Sequence, residues 1–187
     1  MAVIDLQGFV AELKDHAVGH GFHLHDARHF IETYTNRQIW EVDLHPENAC
    51  GGPLDMLLSL EADPRALLAF EDELIKVGED GEPSRDICLT LAISFLLPPL
   101  PHAPDLLILA TEIAAVGSTE LPLAVSANDG FASVTDAPKR TVNFTARFDV
   151  AIADAYFGND VLCDELERCA EVAEFLLDRA PAWIEGS

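Results

Sequence analysis

From Val142 to Ile152 the chain alternates without a fault. Val142, Phe144, Ala146, Phe148, Val150 and Ile152 fall on one side, and Asn143, Thr145, Arg147 and Asp149 on the other. Successive strand residues point to opposite faces, so this period of two describes a strand with one dry face and one wet face. Sheets of that kind are antiparallel, because parallel sheets are covered on both sides. Ile87, Leu89, Leu91, Ile93 and Phe95 repeat the pattern, with only small residues (Cys88, Thr90, Ala92, Ser94) between them. Trp40, Val42 and Leu44 oppose Glu41 and Asp43, and Leu54, Met56, Leu58 and Leu60 alternate with Asp55, Leu57, Ser59 and Glu61. Asn36-Arg37 joins Arg28–Thr35 to Gln38–Leu44 as a hairpin. Asn128-Asp129-Gly130 predicts a second tight turn, between strands at Leu121–Ala127 and Phe131–Thr135. With Val142–Ile152 these last two make a three-stranded meander.

Helical spacing accounts for the rest. Leu6, Phe9, Val10, Leu13 and Ala17 form a stripe behind an Asp5 N-cap, with Gly19 ending the helix in a left-handed conformation. Asp63-Pro64 opens a second helix, with Leu67, Leu68, Leu74 and Ile75 inward and Gly78 as its stop. Pro104–Val116 reads as a helix capped by Gly117, but it is apolar nearly all round, which fits either a buried helix or a strand. The last helix, Val161–Arg179 behind Asn159 or Asp160, carries Leu162, Leu166, Cys169, Ala173, Leu176 and Ala180 at spacings of four and three. That stripe suits a helix lying on a sheet; the alternative is a homodimer seam, which Ala and Cys at seam positions weaken.

The fold class is therefore α+β: an antiparallel sheet, hairpin plus three-stranded meander, with about four helices packed on it. The 187 residues favour a single domain, 1–187. Both halves, 1–78 and 86–180, read helix, three strands, helix, with Ile87–Leu97 as an added strand and the polar stretch 79–85 between them. This suggests a pseudo-duplicated unit in element order, without residue identity.

The longest apolar run, Ile87–Leu100, is interrupted by Thr90, Ser94, Pro98 and Pro99, so no membrane span is expected. The opening MAVIDLQGFV lacks a basic flank and is broken by Asp5, which leads to an expectation of a cytoplasmic protein with reduced cysteines. Asp and Glu number 33 against 11 Lys and Arg, a net charge of −22 that repels nucleic acid and anionic lipid. Three readings suit it: a positively charged protein partner, divalent cations, or simply high solubility.

Five of the seven histidines lie within His16–His29. On a strand His23 and His25 point the same way and can chelate one ion, with His45 as a third ligand and Asp26, Glu32 or Asp43 as carboxylates in reserve. His16 and His20, one helical turn apart, form a second pair. Zinc or nickel suits such a set, although the spacing matches no HExxH motif. Glu41 and Asp43 share a strand face near His45 and Glu47. Cys50 follows His45 by five residues and precedes Gly51-Gly52, a Cys-His arrangement whose glycine amides would serve an oxyanion. Neither a GxSxG elbow nor a phosphate-binding glycine loop occurs. Phe131, Phe144 and Phe148 are candidate walls of a ligand cavity beside Pro104–Val116.

Two function classes follow. The first is an acidic interaction module of chaperone, adaptor or toxin-neutralising type, monomer or homodimer. It would hold a basic partner through Glu71, Asp72 and Glu73 on one helix and Glu167, Glu171 and Glu174 on another, with Glu79, Asp80 and Glu82 nearby. The second is a divalent-metal or small-ligand protein using His23, His25 and His45.

Overall fold

The computed structural model describes residues 4–78, 81–118, 121–159 and 162–186. In chain order the elements are α1 (Leu6–Gly19), β1 (Phe22–Ile31), β2 (Gln38–Pro46), β3 (Asp55–Ala62), α2 (Pro64–Val77), β4 (Cys88–Leu96), α3 (Leu106–Gly117), β5 (Leu123–Gly130), β6 (Lys139–Ala151), α4 (Ile152–Phe157) and α5 (Cys163–Glu185). The six strands form one antiparallel sheet in the order β1-β2-β3-β4-β6-β5. The fold is α+β.

Alternation decides what is buried. On β4, Leu89, Leu91, Ile93 and Phe95 are fully buried, while Cys88, Thr90, Ala92 and Ser94 are half-exposed on the other side. The register sets Phe95 between Met56 of β3 and Phe144 of β6, and Ile93 between Leu58 and Ala146. Each such side chain contributes about 1.5–3 kcal/mol by leaving water. Leu6, Phe9, Val10 and Leu13 of α1, Phe70 of α2, Leu109 and Ile113 of α3, and Leu166, Cys169, Ala173, Leu176 and Ala180 of α5 complete the same core. The stripe considered as a dimer seam on α5 is thus consumed by packing within one chain. The opposite sheet face is polar: Ser94 bonds Thr145 at 3.1 Å, and Thr90 donates to Asp149 at 3.5 Å.

Capping follows the chemistry of the N-cap residues. The Asp5 carboxylate accepts from the Gly8 amide at 2.8 Å, Asp63 from Arg65 at 2.8 Å, and Asp105 from Leu107 and Ile108 at 2.9 and 3.1 Å. Gly78 ends α2 at φ +73° as expected, but at the end of α1 Gly19 stays helical and the positive φ falls two residues later, on Gly21 at +81°.

Four expectations need correction in the second half. Asn128, Asp129 and Gly130 do not turn; they continue β5 and pair with Thr141, Arg140 and Lys139. The reason is a two-pronged ion pair across the strands, with Arg140 Nε and Nη2 each 2.7 Å from the Asp129 carboxylate. The reversal falls instead at residues 131–138, so the meander lies in β1-β2-β3 and the hairpin in β5-β6. Two strands, not three, therefore separate α3 from α4, and the repeated element order fails there. Ile152, assigned above to the strand, begins α4. Asn159 does not cap the last helix; its side-chain amide donates to Asp154 at 2.9 Å and closes α4, while α5 starts at Cys163. The capping alternative Asp160, the start at Val161, and Glu79 and Asp80 of the linker lie outside the described residues.

Phe131, Phe144 and Phe148 do not line a shared cavity, since Phe144 is fully buried in the core and Phe131 is 63% exposed beyond the end of β5. Among the described residues no helix is long and apolar enough to cross a membrane.

Candidate metal centre

β1 begins directly after the left-handed Gly21. Phe22 and Leu24 point into the core, which sends His23 and His25 to the open face. The register then slips: Leu24 pairs with Leu44 but Asp26 with Asp43, so His25 is the extra residue of a β-bulge. A bulge re-aims side chains locally; here it keeps His25 on the face of His23. β2 supplies His45 directly opposite His23.

The following loop folds back over these rings. The Glu47 amide donates to the Gly21 carbonyl at 3.0 Å, tying the short 3-10 turn Glu47–Ala49 to the start of β1. Gly51 at φ +74° and a 2.7 Å bond from the Gly52 amide to the Ala49 carbonyl then reverse the chain. Cys50 is thereby returned to the cluster, its Sγ 3.0 Å from His45 Nε2 and 3.4 Å from His23 Nδ1.

The three imidazoles each offer a nitrogen within 4.8 Å of the others. His25 stacks on His45 at a centroid distance of 4.5 Å, and His25 Nε2 lies 2.9 Å from His45 Nδ1 and 3.5 Å from Nε2. His23 and His25 stay exposed, whereas His45 is 5% exposed. Burial lowers the His45 pKa below its ordinary value, and positive charge on His25 and His23 lowers it further; Asp55 offsets part of this. His45 is therefore held in the neutral form that can donate a lone pair to a cation.

The reserve carboxylates do not join. Asp43, Glu41 and Asp26 surround Arg28 at 2.7, 3.4 and 3.6 Å, with its Nη2 donating to Asp43. Glu41 and Asp43 thus serve an ion cluster rather than sharing a proton with each other. Glu32 accepts from Thr35 in the β1–β2 turn. His16 and His20 sit at the C-terminal end of α1. His29 leaves the cluster too; it lies flat on Trp40 at 4.3 Å, beside an open cleft of about 760 Å³ between α1, β1, β2 and α2.

No disulfide joins any of the four cysteines. Cys169 is buried in α5 and its thiol is pushed up to about 12 by desolvation, which makes it inert. Cys88 is also raised, by burial first and then by Asp149, Asp86 and Asp154.

The six acids read as a partner surface lie on separate helices. Glu167, Glu171 and Glu174 are all exposed along α5, with Arg168 donating to Glu171 at 2.8 Å. On α2, Asp72 is exposed, Glu71 borders the cleft and Glu73 pairs with Lys76 at 3.5 Å.

Cys50 is the member of the cluster that spacing alone did not assign as a ligand. Its sequence neighbour His45 was visible, but its approach to His23 depends on the Glu47–Gly21 bond, which no local pattern announces. Comparison with protein-family models, with curated proteins and with solved structures found no match.

Proposed function

We propose that this protein binds a divalent transition-metal ion, zinc first and nickel second, through His23, His25 and His45. What supports the reading is the convergence of three imidazoles from β1 and β2 within 4.8 Å. A bulge at His25 and the cross-strand pairing of His23 with His45 create that convergence. Imidazole is a good ligand for zinc, copper and nickel and a poor one for magnesium or calcium. The surplus of 22 negative charges raises the local concentration of any divalent cation. The test is elemental analysis of tag-free protein followed by a thermal melt with and without zinc. One bound equivalent is expected. At a hundredfold excess over Kd, binding adds about 2.7 kcal/mol, a rise in Tm of roughly 5–10 °C for a chain of this size. Metal-free protein with an unmoved Tm refutes the reading.

A second reading, an interaction module for a basic partner in the cytoplasm, draws on α5. Glu167, Glu171 and Glu174 recur at helical spacing and all face solvent. Complementary charge speeds encounter and is screened by salt. The check is capture from native lysate by wild-type protein and by a variant with these three acids changed to Gln. A basic protein retained at low salt by wild type alone supports this reading; equal retention by both refutes it.

A further inference from the structure

We infer that Cys50 is the fourth ligand of this centre, making it a closed site of three imidazoles and one thiolate. The inference rests on the metal reading above and adds the donor that decides what kind of centre it is.

The first argument is metric. Tetrahedral zinc takes nitrogen at about 2.0–2.1 Å and sulfur at about 2.3 Å. The edges of such a tetrahedron are then roughly 3.4 Å between nitrogens and roughly 3.6 Å between nitrogen and sulfur. In the protein His25 Nε2 to His45 Nε2 is 3.5 Å, Cys50 Sγ to His45 Nε2 is 3.0 Å and Cys50 Sγ to His23 Nδ1 is 3.4 Å. Three of the six edges therefore stand within about 0.6 Å of what zinc requires; Cys50 lies outside the mutual 4.8 Å spacing of the three imidazole nitrogens, so closing the site takes rotation of the side chains onto the ion.

The second argument is the loop. Gly51 takes a left-handed φ of +74°, and a Cβ on Gly52 would lie 2.9 Å from the Ala49 carbonyl oxygen. Both glycines are thus required by the reversal that points Cys50 back at the strands. Cys50 is itself an exposed residue, and an exposed thiol gains nothing from burial by turning toward three imidazoles.

The third argument is the donor set. With Asp26, Glu41 and Asp43 held by Arg28, the side chains closest to one another in the site offer nitrogen and sulfur. That combination favours zinc over magnesium, calcium or manganese. Coordination replaces the S–H bond by an S–metal bond, and the thiol proton passes to solvent. Four protein ligands leave no open position for a reacting water, the mark of a structural centre rather than a hydrolytic one. Its effect is to fasten the loop at 47–53 onto β1 and β2.

Cobalt(II) titration of the full-length, tag-free protein decides this. Wild type should give tetrahedral d–d bands together with a near-ultraviolet sulfur-to-cobalt charge-transfer band. Cys50→Ser should keep cobalt binding, lose the charge-transfer band, and bind zinc at least about tenfold more weakly. Zinc should also shield Cys50 of wild type from iodoacetamide, read by peptide mass, and EDTA should restore the labelling. Cobalt bound without a sulfur band, or labelling of Cys50 unchanged at saturating zinc, overturns the fourth ligand while leaving the three imidazoles standing. No cobalt or zinc binding at all overturns both.

Discussion

His23 and His45 face each other across the β1–β2 ladder, their rings nearly perpendicular at 75° with centroids 5.6 Å apart. One is exposed and the other buried, so substitutions at the two positions separate metal binding from folding. His23→Ala removes a solvent-facing side chain and should leave metal-free stability within about 0.5 kcal/mol of wild type. The rise in Tm on adding zinc should nevertheless collapse. His45→Ala should lose the same increment and also lower metal-free stability, because it empties a packed position. Paired melts of both variants, with EDTA and with zinc, check this. A full zinc response in His23→Ala contradicts the site.

Acid should weaken both the fold and the centre. The pKa of His45 is depressed in the folded chain by burial, then by charge on His25 and His23, against a smaller opposing pull from Asp55. In the unfolded chain it returns to about 6.5. As pH falls below that value the unfolded state takes up the proton first, so stability is complete above it and is lost as pH falls toward the depressed folded value. One proton limits the slope to about 1.4 kcal/mol per pH unit. Protons also compete for the lone pairs that hold metal. Urea melts of metal-free protein between pH 7.5 and 5 should show this loss, and His45→Gln should flatten it.

How far these residues were legible in the sequence depends on what each position answers to. β2, β3 and β4 were readable because Val42, Leu58 and Ile93 obey one global rule, burial on alternate residues. Asn128-Asp129-Gly130 misled because its local turn chemistry was outweighed by a partner eleven residues away, Arg140. α4 was hidden because Ile152 continues the alternation of β6 and is buried either way. At the site, His23 and His25 were paired by period two. The bulge between Leu24 and Asp26, which shifts the register of the residues after His25, is not announced by that period. Cys50 was the least legible, because its position is set by a backbone bond from Glu47 to Gly21.

The loop glycines should matter to metal more than to fold. Gly51→Ala places a Cβ at φ +74°, a left-handed conformation that costs about 1–2 kcal/mol for an L side chain. Gly52→Ala meets the Ala49 carbonyl and must displace it. Either change should move the Cys50 thiol away from His45 and His23. Zinc affinity should fall while the far-UV circular dichroism stays that of wild type. Calorimetric titration of the two variants measures it, and unchanged affinity in both would detach the loop from the site.

Arg28 should act through charge balance. It stands among Asp43, Glu41 and Asp26, and the hydrogen bond to Asp43 is the main cause of its raised pKa. Arg28→Ala leaves three carboxylates together on the sheet, where like charges repel. Tm should drop at low salt and recover in part at high salt, since screening weakens exposed interactions. Arg28→Lys should rescue less than full stability, because one ammonium cannot reach three carboxylates as a guanidinium fork does. A loss that is indifferent to salt would mean that packing of the Arg28 stem, not its charge, is what counts.

The β3–β4 ladder should make the two halves of the chain unfold together. Met56, Phe95 and Phe144 stand side by side on three neighbouring strands, each at most 2% exposed. Phe95→Ala should cost about 3–5 kcal/mol, a large part of the 5–15 kcal/mol that stabilises a typical protein. Trp40 on β2 and Trp183 on α5 are both 8% exposed and report on opposite halves. Trp40→Phe and Trp183→Phe variants therefore isolate each signal. Their urea transitions should coincide in the wild-type background and shift by the same amount when Phe95→Ala is added. A sheet that shares Phe95 with both neighbours cannot lose one side and keep the other, so a midpoint that moves for one tryptophan and not the other would refute this coupling.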